Sequence, residues 1–181
     1  MSGIGLPDID ELLQEAARLS NHRNFVIVGS LSILGTVIHP PKRMVLSTDV
    51  DLFTKSDPAR VFVEISASLA EGSAWARDHA VYADPVSPAI IAAPEGWESR
   101  LIPLPLPKGI TAWFMDANDA ACAKLIRGSE NDIRWVAAGI DDGILSLTAV
   151  LERLPNCLNA SLEEIRRAEV IAAEIGRRRG R

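Results

Sequence analysis

The sequence predicts an α/β fold in which a short mixed sheet is flanked by helices and followed by a helical C-terminal extension. Strand-like and helical segments alternate as far as residue 115, and only helical patterns follow. Alternation of this kind is typical of an α/β sheet, whereas a closing run of helices indicates an added helical layer. We therefore expect a core over residues 1–115 and a helical part over residues 116–181 that packs on this core.

The chain opens with a predicted helix, a buried strand and a short helical turn. Apolar residues recur on one face from residue 7 or 8 to Leu19, and a proline is tolerated at a helix start. The apolar run Asn24–Val28 predicts the strand. A short helix is then expected to begin at Ser30 and to end at Gly35.

A second strand is predicted from Arg43 to Phe53. Because alternate residues of a strand face opposite sides, Asp49 and Asp51 share one face. The apolar side chains expected on the other face are Leu46, Val50 and Leu52. Residues 39–43, His-Pro-Pro-Lys-Arg, are expected to form a loop before this strand.

A helix is predicted after the second strand. Asp57 suits its N-cap, Pro58 its first residue and Gly72 its end, because these residue types favour those positions. The side chains expected to face the core recur every fourth residue, at Val61, Ile65 and Leu69. This helix would be one of those that flank the sheet.

Three more strands are predicted before the chain becomes helical. They are expected at Val81–Asp84, Ser99–Leu106 and Ile110–Met115, with a proline-rich loop at Pro85–Pro94. The middle strand of these three contains two prolines, which cannot donate to a sheet ladder. We therefore expect that strand at an edge of the sheet.

The last helix has its own start signal. Ser161-Leu-Glu-Glu164 fits a capping box, in which a serine and a glutamate three residues later satisfy free backbone N–H groups. The side chains expected to face inward are Leu162, Ile165, Ala168, Ala172 and Ile175. The basic end, Arg177-Arg-Arg-Gly-Arg181, either complements the helix dipole or contacts RNA.

Composition limits the function classes. The formal net charge of -5 leaves only local basic patches for contact with RNA or DNA. Cys122 and Cys157 form no CxxC motif, and His22, His39 and His79 are scattered, so we expect neither a zinc site nor a disulfide framework. The acidic N-terminus lacks a signal-peptide pattern, and no apolar run is long enough to span a bilayer. We therefore expect a cytoplasmic protein that does not contact a membrane.

The strongest chemical signal combines a strand that ends in Gly29-Ser30 with a strand that carries Asp49 and Asp51. A Gly-Ser turn before a helix presents backbone amides that suit an anion. Two carboxylates on one face repel each other unless a cation lies between them, and Mg²⁺ prefers oxygen ligands of this kind. The combination indicates nucleotidyl or phosphoryl transfer; the plainer alternative is a strand end that hydrogen-bonds a neighbouring turn.

This combination resembles the signature of the nucleotidyltransferase superfamily, the polymerase-beta-like fold, and the resemblance extends over residues 24–153. Residues 94–101 and 119–124 are similar to those of uncharacterised bacterial nucleotidyltransferase-like proteins related to abortive-infection and toxin–antitoxin nucleotidyltransferases. The stretch between the Gly-Ser turn and the two aspartates is longer than the usual spacing, and residues 39–43 lie within it. The resemblance implies a minimal nucleotidyltransferase fold.

The resemblance also implies a third carboxylate on the strand beside the Asp-Val-Asp strand. Asp84 is our candidate, because it ends a predicted strand on the same face as Tyr82. The alternative is that Asp84-Pro85 only initiates a turn. Glu64 and Asp116 are the weaker candidates. Together with the two earlier aspartates, Asp84 would complete the metal-binding and catalytic set.

A lysine that contacts the nucleotide phosphates is a further implication of the resemblance. Lys124 matches this position, and Arg127 follows on the same side of the predicted helix. The alternative is a solvated lysine, as most helix lysines are. Asp132 would supply the acid that follows the lysine in the family, but it also fits a capping box with Ser129, which we favour.

The family implies Mg²⁺-dependent transfer of a nucleoside monophosphate from an NTP to a hydroxyl of RNA, tRNA or a protein. It also implies a toxin role, with an antitoxin protein as partner. The alternatives are an inactive module that binds a nucleotide or a protein, and a partner that neutralises a toxin. A third carboxylate favours the enzyme, whereas an apolar residue there favours the module. Trp97 is expected to pack on the core, the alternative being a stacked base.

Overall fold

The computed structural model describes residues 4–179, apart from the side chains of residues 60 and 179. The first three residues and the end of the basic stretch 177–181 therefore lie outside the described residues. The helices are α1 (Leu6–Ser20), α2 (Pro58–Leu69), α3 (Ala74–Asp78), α4 (Ala117–Arg127), α5 (Glu130–Asp141), α6 (Leu147–Arg153) and α7 (Leu162–Arg179). The strands are β1 (Asn24–Ile27), β2 (Asp49–Thr54), β3 (Tyr82–Pro85), β4 (Ile102–Leu106) and β5 (Ile110–Phe114).

The strands form one mixed five-stranded sheet in the order β3-β2-β1-β5-β4. Strand β1 lies at its centre, antiparallel to β2 and parallel to β5. The outer strand β3 pairs with β2 in parallel, and β4 pairs with β5 antiparallel. The predicted fold class is confirmed, and β4, with its two prolines, lies at the edge where such a strand is tolerated.

Strand β2 begins six residues later than predicted, at Asp49 and not at Arg43. Residues Lys42–Val45 form a 3₁₀ turn, in which the Met44 amide donates to the Pro41 carbonyl at 2.8 Å. Proline fixes its φ angle, which favours such a turn. The expectation that Leu46 lies with Val50 and Leu52 on one face of this strand is therefore wrong, because Leu46 precedes the strand and its side chain is 65% exposed.

Two helix predictions also need correction. Helix α2 ends at Leu69 and not at Gly72, and the unpredicted short helix α3 follows, capped by the Ser73 hydroxyl. Asp57 holds the N-cap position but has a left-handed φ of 51° and makes no side-chain cap bond. In α7 the predicted capping box forms, yet Leu162 is 73% exposed because it lies in the first turn, beyond the packed face.

The helical part meets the sheet through the 3₁₀ turn Ser30–Gly35, which follows β1 directly and contacts both β5 and α4. Gly35 allows this packing, since a Cβ atom there would lie 2.2 Å from the Cβ of Phe114. One hydrophobic cluster includes residues of the sheet and of α4–α7. None of the helices in the described range is long and apolar enough to cross a bilayer. The division of the chain at residue 115 stays a prediction.

Candidate active site

Three aspartates converge at one edge of the sheet. Asp51 of β2 is directly opposite Asp84 of β3, because the two strands pair in parallel with these residues in register. Asp49 precedes Asp51 by two residues and lies on the same face of β2. One carboxylate oxygen from each residue lies within 4.8 Å of the others. We call Asp49, Asp51 and Asp84 the acidic cluster.

Gly29 lies against the acidic cluster at the end of β1. Its φ is +66° and its ψ is -150°, a conformation almost restricted to glycine. A Cβ atom at this position would lie 1.8 Å from Oδ2 of Asp51. The Val28 amide also donates to the Asp51 carbonyl at 2.9 Å. Glycine is thus needed here so that the carboxylate can lie against the backbone, a reason that the sequence did not reveal.

The electrostatics of the acidic cluster are unbalanced. Burial, and then the charges of Asp49 and Asp84, raise the pKa of Asp51 to about 7. Burial, followed by the charges of Asp49 and Glu71, also raises the pKa of Asp84. Among the described side chains, no basic group forms an ion pair with any of the three aspartates.

A divalent cation fits this arrangement. Two ionised carboxylates whose charges lie 4.8 Å apart, the upper limit for the oxygens of this cluster, repel each other by about 3.5 kcal/mol at an effective dielectric constant of about 20. The donors are all carboxylate oxygens, the ligands that Mg²⁺ prefers. Ser47 donates its hydroxyl hydrogen to Oδ1 of Asp49, which fixes the direction of one carboxylate. The cluster therefore has both the ligands for a hard cation and a repulsion that such a cation would relieve.

A second cluster joins the Gly-Ser turn to the helical part. Nζ of Lys124 donates to Oγ of Ser30 at 2.9 Å and to Oδ1 of Asp132 at 3.1 Å. Arg127 donates to both oxygens of Asp132, at 2.6 Å each, and Ser129 donates its hydroxyl hydrogen to Oδ2 at 2.6 Å. We call Lys124, Arg127 and Asp132, with Ser30, the lysine cluster.

The local fold explains how the lysine cluster forms. Helix α4 ends at Gly128, whose φ of +70° turns the chain, and Ser129 then caps α5. Because of this turn, α5 folds back on α4, and Asp132 of α5 lies within hydrogen-bond distance of Lys124 on α4. The expectation that Asp132 mainly completes a capping box is therefore half wrong. Ser129 does cap the Asp132 amide, at 3.2 Å, but the Asp132 carboxylate binds the two cations.

Lys124 is buried, whereas most helix lysines are solvated. Its side chain is only 5% exposed and that of Asp132 only 1%, whereas that of Arg127 is 68% exposed. Burial lowers the pKa of Lys124, although the charge of Asp132 opposes this effect. Burial alone would raise the pKa of Asp132, but bonds from Arg127, Ser129 and Lys124 bring it well below its ordinary value.

A pocket of about 560 Å³ opens beside the two clusters. We call it the basic pocket. Its lining includes the polar or charged side chains of Ser30, Arg43, Ser47, Lys124, Arg127 and Arg134. Among its described lining residues, four basic side chains face a single acid, Asp132. A site with this balance suits a polyanion such as a triphosphate.

The remaining candidates lie elsewhere. Glu64 is exposed on α2, and Asp116 caps α4 and pairs with Arg153 at 2.6 Å, so neither takes the place of Asp84. Trp97 is 4% exposed and packs edge-to-face on Phe53, which confirms packing over base stacking.

Sequence reasoning missed Ser47, Arg43 and Arg134 as members of the site. Ser47 was within reach, because it precedes Asp49 by two residues and so follows the same spacing that pairs the aspartates. Arg43 and Arg134 carried no local signal, since α5 and the Lys42–Val45 turn meet only in the folded chain. Nε1 of Trp135 donates to the Met44 carbonyl at 3.0 Å across this contact.

Comparison with known families identifies the family of this chain. Residues 6–173 match the model of a family described as "Nucleotidyltransferase of unknown function (DUF6036)". The chain belongs to this family, which confirms the resemblance to the nucleotidyltransferase superfamily. No curated protein and no solved structure matches the chain. A relation to abortive-infection and toxin–antitoxin nucleotidyltransferases stays a prediction.

Proposed function

We propose that this member of the nucleotidyltransferase family transfers a nucleoside monophosphate from an NTP to an acceptor hydroxyl with the help of Mg²⁺. The observation that supports this proposal best is the convergence of three carboxylates within 4.8 Å beside a Gly-Ser turn. Asp49, Asp51 and Asp84 would hold the cation. When bound, Mg²⁺ would neutralise charge at the α-phosphate and help to align the reacting groups.

The basic pocket would hold the triphosphate. Its four basic side chains supply the positive charge, and Ser30 lies where the strand-turn-helix geometry favours an anion. Lys124 holds the Ser30 hydroxyl in place at 2.9 Å, so it would position this group as well as add charge. Arg127 is the exposed member of the lysine cluster and would contact the phosphates directly.

The reaction follows from these positions. The acceptor oxygen attacks the α-phosphorus, a new P–O bond forms, and the bond to the β-phosphate oxygen breaks. Pyrophosphate leaves along the basic pocket, and the hydroxyl proton passes to the carboxylate of Asp84. Asp84 suits this role because it is the exposed member of the acidic cluster. Catalysis would otherwise consist of positioning and charge stabilisation.

The residue opposite Asp51 supports an enzyme over an inactive binding module. An inactive module would be expected to have an apolar residue there, but the register places the carboxylate of Asp84 at this position. A toxin role, an antitoxin partner and an RNA, tRNA or protein acceptor remain proposals that rest on the family resemblance.

Nucleotide binding is the first test of the proposal. ATP, GTP, CTP and UTP at millimolar concentration with Mg²⁺ should be compared for their effect on the melting temperature, because a ligand that binds only the native state stabilises it. At least one should raise it. If none of the four does so, the enzyme proposal is abandoned in favour of the binding module.

Transfer of label from α-³²P-labelled NTPs is the second test. Asp51→Asn should reduce transfer by about 100- to 1,000-fold, the scale of losing one group that stabilises transition-state charge. The matched control is Asp78→Asn, which removes the same charge from an exposed residue of α3. Equal losses in both variants would contradict a specific role for the acidic cluster.

A further inference from the structure

A second pocket lies on the other side of Lys124 and Arg127 from the basic pocket. Its volume is about 520 Å³, and it reaches the acidic cluster at Gly29 and Asp51. Its remaining apolar walls come from residues 86–92, from α4 and from Met115. We call it the apolar pocket. Two pockets of similar size therefore share Lys124 and Arg127. The apolar pocket is lined by Asp51 itself, and the basic pocket is lined by Ser47, whose hydroxyl donates to Asp49.

The loop that walls the apolar pocket has an unusual composition. Residues 86–93, Val-Ser-Pro-Ala-Ile-Ile-Ala-Ala, contain no charged side chain. Ile90 is 73% exposed at the rim of the pocket. Covering the exposed side chain of this isoleucine with an apolar group would remove apolar surface from water, which is favourable, so the rim favours an apolar ligand.

The loop is held in place from outside the sheet. The Leu158 amide donates to the Ala93 carbonyl at 2.9 Å, and Nδ2 of Asn159 donates to the Ile91 carbonyl at 3.1 Å. The segment that holds it carries more exposed apolar surface, since Leu158 is 46% and Leu162 is 73% exposed. The apolar side chains thus extend past the pocket itself, which suits an extended ligand better than a small molecule.

The charges around the apolar pocket do not suit nucleic acid. Of the three basic side chains in its described lining, Lys124 and Arg127 are those that would serve the triphosphate in the basic pocket, which leaves Arg167 for an acceptor. Arg167 already donates to the Ile126 carbonyl at 2.7 Å. Asp51 and Glu164 add negative charge to the same walls. Nucleic acids bind mainly through several free cations that contact phosphates, and the described lining of this pocket does not offer such a set.

We propose that the apolar pocket binds the acceptor, and that the acceptor is a polypeptide segment with a Ser, Thr or Tyr hydroxyl between apolar residues. This inference rests on the proposed function and narrows its acceptor class. The side-chain hydroxyl oxygen bonds to the α-phosphorus of the NTP, the bond to the β-phosphate oxygen breaks, and pyrophosphate leaves. The hydroxyl proton passes to Asp84. The product is a protein side chain joined to a nucleoside monophosphate by a phosphodiester bond.

The test offers both acceptor classes to the full-length protein together. Nonapeptides with a central Ser, Thr or Tyr and randomised flanking residues are mixed with total cellular RNA, Mg²⁺ and each α-³²P-labelled NTP. We expect label in the peptides, with apolar flanking residues enriched among the labelled ones. Label in the RNA alone, label in neither pool while an NTP raises the melting temperature, or enrichment of basic flanking residues would each overturn the proposal.

A pair of matched variants locates the acceptor site. Ile90→Glu places a charge at the rim of the apolar pocket and should reduce peptide labelling at least about tenfold, because the peptide would have to cover that charge. Ile38→Glu is the control, since Ile38 is equally exposed, at 74%, and does not line either pocket. It should leave labelling unchanged.

The melting temperature separates the two proposals. Ile90→Glu should retain the full stabilisation by NTP and Mg²⁺. If it loses that stabilisation, the apolar pocket holds the nucleoside and the acceptor proposal is wrong, while the proposed function stands. If wild-type protein shows no NTP stabilisation at all, the proposed function itself fails. Equal loss of labelling in Ile90→Glu and Ile38→Glu would also overturn the acceptor proposal.

Discussion

The acidic cluster and the lysine cluster surround a largely buried carboxylate with charges of opposite sign. Each contains a carboxylate removed from most of the solvent, Asp51 in one and Asp132 in the other. Asp132 has two basic partners and a hydroxyl within 3.1 Å, and its pKa is lowered. Asp51 has two like-charged neighbours, and its pKa is raised. The charges of one cluster are matched within the chain, whereas those of the other would be matched only by a cation from solution.

This difference distinguishes the lysine cluster, whose pairing matters for folding stability, from the acidic cluster, which is proposed to bind a cation. Removing one partner from a buried, charge-matched group is costly, because the other charge is left buried without a partner. A carboxylate that is repelled by its neighbours lowers the stability of the folded state. Such an arrangement is typical of functional sites, where a bound ligand relieves the repulsion. Variants in the two clusters should therefore change stability in opposite directions.

The largest effect is expected for Asp132→Ala. This variant leaves the ammonium group of Lys124 buried without a carboxylate partner, so the free energy of unfolding should fall by about 3–5 kcal/mol. Denaturant unfolding at pH 7 measures it. The control is Glu130→Ala on the same helix, where the side chain of Glu130 is 84% exposed. That exposed pair should contribute about 0.5 kcal/mol or less.

The pH dependence of this effect has a definite sign. Because the pKa of Asp132 is lowered in the folded state, its contribution is complete above the ordinary value of 3.8 and is lost as the pH falls through the lowered value. Wild-type protein and Asp132→Ala should therefore converge in stability in acid. A difference that stays constant below pH 3.8 would contradict the ionic account.

A smaller loss is expected for Gly29→Ala, which forces Asp51 away from the backbone. The φ of +66° alone should cost about 1–3 kcal/mol for a non-glycine residue. The clash with Oδ2 of Asp51 adds to it. Gly109→Ala is the control, because its φ is +71° and a Cβ atom there meets nothing within 4 Å.

A double variant isolates the contact between Gly29 and Asp51. If the clash contributes, Gly29→Ala should cost less stability in a protein that already carries Asp51→Ala than in wild-type protein. Denaturant unfolding of the four proteins of this cycle measures the difference. Strictly additive losses would show that backbone strain at Gly29 accounts for the whole effect.

The smallest effect is a gain in stability for Asp51→Asn. The raised pKa means that ionising Asp51 becomes unfavourable in the folded state, so wild-type stability declines as the pH rises from 3.8 towards 7. At pH 8 the variant should therefore be more stable than wild type, because it lacks the buried charge that wild-type Asp51 carries at that pH. Adding Mg²⁺ should raise the melting temperature of wild-type protein and leave that of Asp51→Asn nearly unchanged. A variant less stable than wild type at pH 8 would break the comparison.

The sequence predicted the acidic cluster better than the lysine cluster, for a physical reason. The aspartates of β2 follow from the two-residue repeat of a strand, which is a local rule. The third carboxylate depended on family resemblance, because nothing local shows that β3 pairs with β2 in the register that aligns Asp84 with Asp51. The metal-binding role of all three stays a prediction.

Burial of Lys124 was beyond sequence reasoning. Its environment depends on how α5 folds back on α4 at Gly128, and on how both helices meet the Ser30–Gly35 turn. The misplaced start of β2 has the same origin, since Met44 and Val45 are buried by contacts with distant residues although their segment is not a strand. Local patterns show which residues are apolar, but not which neighbours bury them.

The bond between Lys124 and Ser30 also determines what a truncated protein could do. A fragment that ends at residue 115 would keep all three aspartates and the Gly-Ser turn. It would lack the ammonium group that holds the Ser30 hydroxyl at 2.9 Å, and the apolar surface of α4 that covers the turn. Together with the bond from Nε1 of Trp135 to the Met44 carbonyl, this contact joins the two parts of the chain at the candidate site, so a fragment that ends at residue 115 is not expected to act alone.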